Sequence, residues 1–245
     1  MRWTETKDIE IVSPAVTAGE DDAYNIASIK AQVTWDTRND IFFPSAGYRN
    51  FLAAEVADRV IGSEINLVRF SAGSRYFRPL TKKMIFGIRY STGLALPVRN
   101  QVTIPLAERF FNGGENTVRS FEESMLGPLD VAGNPVGGMA FNVINVELRR
   151  RITSKIVLSL FTDFGNVSPN RSTAEKGEPP YTDRSQLIET TLKEYFQDFR
   201  SAVGIGIQYL LPVGPVRLDF AINPDPRQER YEERYNFHFS VGMAF

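Results

Sequence analysis

The chain has 245 residues, with 28 Lys and Arg against 29 Asp and Glu for a formal net charge of −1, one histidine and no cysteine. That composition excludes collagen-like and low-complexity chains, disulfide scaffolds, zinc–thiolate sites and thiol nucleophiles, and it leaves no basic excess for gripping nucleic acid. No window approaches the ~18 to 20 unbroken apolar residues of a spanning helix, yet a membrane β-strand needs only ~9 to 11 residues that are apolar at alternate positions.

In chain order, the opening Met1-Arg-Trp-Thr-Glu-Thr-Lys-Asp8 is charged and lacks the apolar core of a signal peptide, so a chain exported with this start reads as a mature product or a fragment. Residues 1–24 read as a lead-in or as a partial strand near 3–12. Strands are then expected near 25–36, 47–60, 65–77, 83–95, 138–151, 155–164, 198–211, 215–223 and 235–245, because each segment separates into an apolar and a small or polar parity. The last is the cleanest, with Phe237, Phe239, Val241, Met243 and Phe245 opposed to Asn236, His238, Ser240, Gly242 and Ala244. Upstream, Val203, Ile205, Ile207, Tyr209 and Leu211 oppose Ala202, Gly204, Gly206 and Gln208, and Leu218, Phe220 and Ile222 oppose Arg217, Asp219 and Ala221.

A soluble sandwich would bury the greasy parity, whereas a membrane barrel turns it to lipid and keeps a polar interior. Arg69, Arg75 and Arg89 share the inward parity with Ser71, Gly73 and Ser91, which is too much charge for a dry core. The connections also alternate: 152–154 and 212–214 are tight, while 96–137 and 165–197 are long and rich in Gly, Pro, Asn and Glu. Gln186 to Phe196 is compatible with a short helix inside its loop. The reading is all-β, an antiparallel transmembrane barrel segment over 25–245 with nine strands, ten with the partial strand near 3–12, in an outer membrane with the short turns on the periplasmic side.

No enzyme signature appears. Gly113 and Gly114 are not followed by the Lys-Ser or Lys-Thr of a phosphate loop, and neither Gly-x-Ser-x-Gly nor His-Glu-x-x-His occurs. His238 has no carboxylate beside it in sequence and reads as a hydrogen-bonding residue of the interior. No catalytic residue, metal or cofactor is expected.

The long loop carries Arg109-Phe-Phe-Asn-Gly-Gly-Glu-Asn-Thr-Val-Arg-Ser-Phe121, followed by Leu126-Gly-Pro128. It resembles the sixth extracellular loop of the Omp85 superfamily, where two Gly precede Val-Arg-Gly-Phe or Val-Arg-Gly-Tyr. Ser120 stands at the family's Gly position, which makes a left-handed backbone there less favourable. Phe42-Phe-Pro-Ser-Ala-Gly47, Phe161-Thr-Asp-Phe-Gly165 and Pro212-Val-Gly-Pro-Val-Arg-Leu-Asp-Phe220 fall in the family's order, and Phe245 closes the pattern. The resemblance covers residues 25–245 and is shared between the BamA-like and TamA-like assembly factors.

The resemblance implies a barrel of sixteen strands preceded by POTRA domains, so the chain reads as the carboxy-terminal portion of a longer protein. It implies a non-enzymatic insertase that folds client outer-membrane proteins through a lateral seam, in contact with the bilayer or lipopolysaccharide and with assembly lipoproteins or other subunits. The loop motif Gly113, Gly114, Val118, Ser120 and Phe121 would fold into the lumen, where Arg119 is clamped by the inward carboxylates Glu147 and Asp163. The other reading of Glu147 is a pair with Arg149 or Arg151. Phe237, Phe239, Val241, Gly242 and Phe245 would form the gate strand and terminal assembly signal. Two rivals share the barrel: a two-partner polypeptide export pore, and a membrane anchor for a fused enzyme such as a lipase.

Overall fold

The computed structural model describes residues 4–17, 24–102, 104–130, 132–170, 183–212, 214–227 and 232–242, the first of these by backbone alone. Among them are ten strands: β1 (Thr4–Thr17), β2 (Tyr24–Asp36), β3 (Gly47–Ala57), β4 (Leu67–Pro79), β5 (Met84–Pro97), β6 (Ala140–Arg151), β7 (Ile156–Ser168), β8 (Arg200–Leu211), β9 (Gly214–Ile222) and β10 (Tyr235–Val241). Each pairs antiparallel with the next, giving one sheet in chain order with β1 and β10 at its edges. A helix, α1 (Arg184–Lys193), lies in the loop between β7 and β8. It starts two residues before the expected segment because Asp183 caps it, its carboxylate accepting from the Ser185 amide.

The alternation of the sequence becomes two distinct faces. Leu160 and Ile205 are a cross-strand pair on one face, 59% and 57% exposed, while Asp163 and Ala202 are a pair on the other and are fully buried. Phe220 and Phe237 are likewise opposed, their rings 4.8 Å apart, and Phe220 stacks on Tyr235 at 5.9 Å. Such aromatic pairs are what stabilise an antiparallel ladder beyond its hydrogen bonds. The charged parity lies on the covered face: Arg69 pairs with Glu55 at 3.2 Å and with Glu108 at 2.7 Å.

Two tight turns on one end of the sheet use the same device. Thr81 Oγ1 accepts from the amides of Lys83 and Met84, and Thr153 Oγ1 accepts from those of Lys155 and Ile156, so each hydroxyl substitutes for a missing ladder partner. At the opposite end, strands lengthen into the long loops. β7 was expected to stop near 164 but runs to Ser168, because Asn142 and Asn166 continue the β6–β7 register and bond across it. Asn142 Nδ2 also donates to the Tyr195 carbonyl, and Asn166 Nδ2 donates to the carbonyls of Tyr195 and Gln197.

An exposed apolar face opposite a buried charged face predicts a specific labelling pattern. With single cysteines at Phe237, Phe239, Leu218 and Ile205, a lipophilic thiol probe should react faster than with cysteines at His238, Ser240 and Asp219. Faster reaction at His238 and Ser240 would reverse the assignment of the faces.

Candidate functional site

The loop between β5 and β6, residues 98–139, turns back over the covered face. Its base is tied by reciprocal bonds between Phe110 and Gly138, and its tip by the amide of Leu126 to Asn112 O and the amide of Gly114 to Phe121 O. Gly113 and Gly114 take φ of +103° and +105°, a conformation that side chains rarely adopt, and a Cβ on Gly113 would sit 2.6 Å from Glu122 O. Between these ties Val118, Phe121 and Leu126 pack with Val167 and Ala202, a buried apolar anchor against β7 and β8. Gly165 makes room for it, since a Cβ there would lie 2.7 Å from both Val118 and Asn112.

The anchor delivers Arg119 into the wall, where only 2% of the residue remains exposed. Its Nε and Nη2 donate to the two oxygens of Asp163 at 2.8 and 2.7 Å, its backbone N–H donates to Asp163 at 3.1 Å, and Nη1 reaches Asp219 at 3.3 Å. The planar fork thus engages one carboxylate with two side-chain nitrogens and a second carboxylate with the third, which an ammonium has no geometry to copy. The guanidinium carbon also lies 3.3 Å from the ring centroid of Phe161, a desolvated cation–π contact.

Glu147 is placed differently from the expected clamp. It accepts from Arg149 Nε and Nη2 at 3.2 and 3.1 Å, from Arg217 at 3.0 Å and from Gln208 at 3.4 Å, and it makes no hydrogen bond to Arg119. Register is the reason. Asn145 faces Asp163, whereas Glu147 faces Phe161, one inward step further along the wall. Asp219 takes the second place beside Arg119, and Arg217 Nε lies 2.5 Å from its carboxylate. The result is a buried row of alternating charge: Asp163, Arg119, Asp219, Arg217, Glu147, Arg149. Each ion has an opposite neighbour, the condition under which buried charge is tolerated.

The backbone beside Arg119 is held as closely as its side chain. Arg89 on β5 donates to Asn116 O at 2.6 Å, and Asn145 on β6 donates to Thr117 O at 2.6 Å. Ser120 donates through Oγ to Ser201 O on β8 at 2.8 Å, and its backbone stays outside the left-handed region. The hydroxyl at the family's Gly position therefore adds a bond.

A family model for the Omp85 superfamily domain matches residues 3–245. The chain belongs to the Omp85 superfamily. Among curated relatives, it is 24% identical to the outer membrane protein assembly factor BamA of Neisseria meningitidis, over 94% of this chain and 30% of that protein. It is 23% identical to a SAM50-like protein of Schizosaccharomyces pombe, over 99% of this chain and 50% of that protein. The chain thus spans half or less of the length of these relatives. In fold it resembles the crystal structure of BamA from Haemophilus ducreyi lacking POTRA domains 1–3, with a TM-score of 0.69 at 18% identity over 90% of this chain and 43% of that one. This is an outer-membrane β-barrel segment, and the BamA of Neisseria meningitidis that it resembles is by name an outer membrane protein assembly factor.

The structure brings Val118, Arg119, Ser120, Phe121 and Asp163 together, and it sets Glu147 three ion pairs from Arg119 along the charged row, with Asp219 and Arg217 between them. Phe237, Phe239 and Val241 lie on the exposed face of β10, and Gly242 follows with φ of +106° and its amide bonded to Pro215 O. Phe245 lies outside the described residues. The sequence reading did not assign Asp219, Phe161, Asn145 or Arg217 to the loop. Their inward parity was the available signal, but parity gives the face and not the height along the strand.

Proposed function

We propose that this chain forms the seam-bearing wall of an outer-membrane insertase, in which β10 is the gate strand and client β-strands add to its free edge. The observation that carries this is the place of β10 in the sheet. Among the described residues its ladder to β9 runs from Tyr235 to Val241, and it is an edge strand of the sheet. An edge offers a row of unpaired N–H and C=O groups, the template for β-augmentation. Beyond Val241, Gly242 carries no side chain to pack against a neighbour and has nothing within 4 Å of its would-be Cβ. In this reading the docked loop holds β5 to β10 in one shape while the edge is offered. The partners are client outer-membrane proteins, the bilayer or lipopolysaccharide, and assembly lipoproteins, while Phe245 serves as the aromatic signal for the chain's own delivery.

The test is site-specific photo-crosslinking from Val241 in the intact protein during synthesis of an outer-membrane β-barrel. Adducts to the nascent barrel are expected, and deletion of Phe245 should lower the protein's own insertion without lowering its synthesis. Adducts confined to lipid, with none to the nascent barrel, would remove the gate assignment.

A further inference from the structure

The five residues Asn116–Ser120 reach six consecutive strands. Asn116 O is held from β5, Thr117 O from β6, the Arg119 side chain by Asp163 of β7 and Asp219 of β9, and Ser120 Oγ by Ser201 O of β8. The sixth tie belongs to the edge strand: His238 Nε2 on β10 lies 2.8 Å from the Arg119 carbonyl oxygen. A carbonyl only accepts, so Nε2 carries the proton and donates.

We infer that His238 is the positioning residue that couples the edge strand β10 to the docked loop. His238 and Asp219 are direct cross-strand partners, so the β9–β10 pair grips Arg119 at both ends, the guanidinium through Asp219 and the carbonyl through His238. The remaining inward residues of β10 do not duplicate the tie: Asn236 Nδ2 is buried without a hydrogen-bond partner, and Ser240 faces Arg217 across the ladder. Moving β10 away from β9 must therefore break the His238 bond and leave the Arg119 carbonyl, at a residue only 2% exposed, without its donor. Coupling runs both ways, because any change that undocks Arg119 also removes the hydrogen bond that His238 of β10 makes to the loop. The inference rests on the proposed gate only for its consequence in client insertion; the coupling itself is a property of the fold.

The test uses hydrogen exchange on the intact protein folded in lipid nanodiscs. His238→Phe keeps a ring and loses the donor, whereas His238→Gln keeps an N–H at similar reach. In the Phe variant, exchange of the β10 amides and of 116–120 should rise together by roughly two- to tenfold, the range for one hydrogen bond, with β6–β7 amides unchanged; Gln should restore most of the protection. If the Phe variant does not fold, His238→Leu replaces it. Unchanged exchange in β10, or a Gln variant that behaves like Phe, overturns the coupling. Photo-crosslinking of clients from Val241 reads the gate separately: raised β10 exchange without any client adduct keeps the coupling and rejects the gate.

Discussion

Arg119→Ala is expected to lower the unfolding free energy of the intact protein by about 3–5 kcal/mol, the penalty for breaking a buried ion pair from one side. The size follows from what is left behind. Asp163 is fully buried and Asp219 is 1% exposed, and the substitution strips both of the guanidinium that compensates them. Part of the loss is packing, since the Arg119 side chain also covers the Phe161 ring. Asp163→Ala should produce a loss of similar size by leaving the buried Arg119 with Asp219 alone and depriving Asn145 Nδ2 of one of its two acceptors. Arg119→Lys should recover little, because one ammonium has no planar fork for two carboxylates. Denaturant titration of the folded barrel measures the loss, and limited proteolysis within 106–138 reports whether the loop has left the wall. Full stability with a protected loop in Arg119→Ala would mean that the apolar anchor alone docks it.

Glu147→Ala is expected to cost about as much, again about 3–5 kcal/mol, but with a different loop behaviour. Arg149 and Arg217 are each 3% exposed and both donate to this carboxylate, so its removal takes an acceptor from each of two buried cations, with Asp219 still beside Arg217. The bonds from Arg119 to Asp163 do not involve Glu147, and the loop should stay docked and protease-resistant while the barrel loses stability. Release of the loop in Glu147→Ala to the extent seen in Asp163→Ala would restore Glu147 as a direct clamp of Arg119.

The contrast between these two carboxylates shows what was legible in the sequence. Faces were legible, because a period of two assigns each residue of a strand to one side, and Glu147, Asp163, Asp219 and His238 all fall on the covered side as read. Heights were not. Which inward residues meet depends on the stagger between strands, and the choice of Asn145 rather than Glu147 opposite Asp163 is set by the β6–β7 register. The reach of Arg119 from β7 to β9 depends on β8 presenting Gly204 and Gly206 between them: a Cβ at Gly204 would lie 2.2 Å from the Phe161 ring, and one at Gly206 would lie 2.1 Å from the Asp219 carboxylate. Glycines on an inward parity are easily read as a roomy interior. Here they are the space into which the buried ion row is packed.

Loop docking through Arg119 underlies both the edge-strand coupling and the shape proposed for the gate, and a double-mutant cycle of Arg119→Ala and Asp163→Ala tests it most directly. Residues sharing one hydrogen-bonded network show coupling of about 0.5–3 kcal/mol, and two charge-assisted side-chain bonds between this pair place the expected value in the upper half of that range. If the two effects instead add to within about 0.5 kcal/mol, as for independent sites, Arg119 and Asp163 do not hold each other and the loop is not locked to the wall through them.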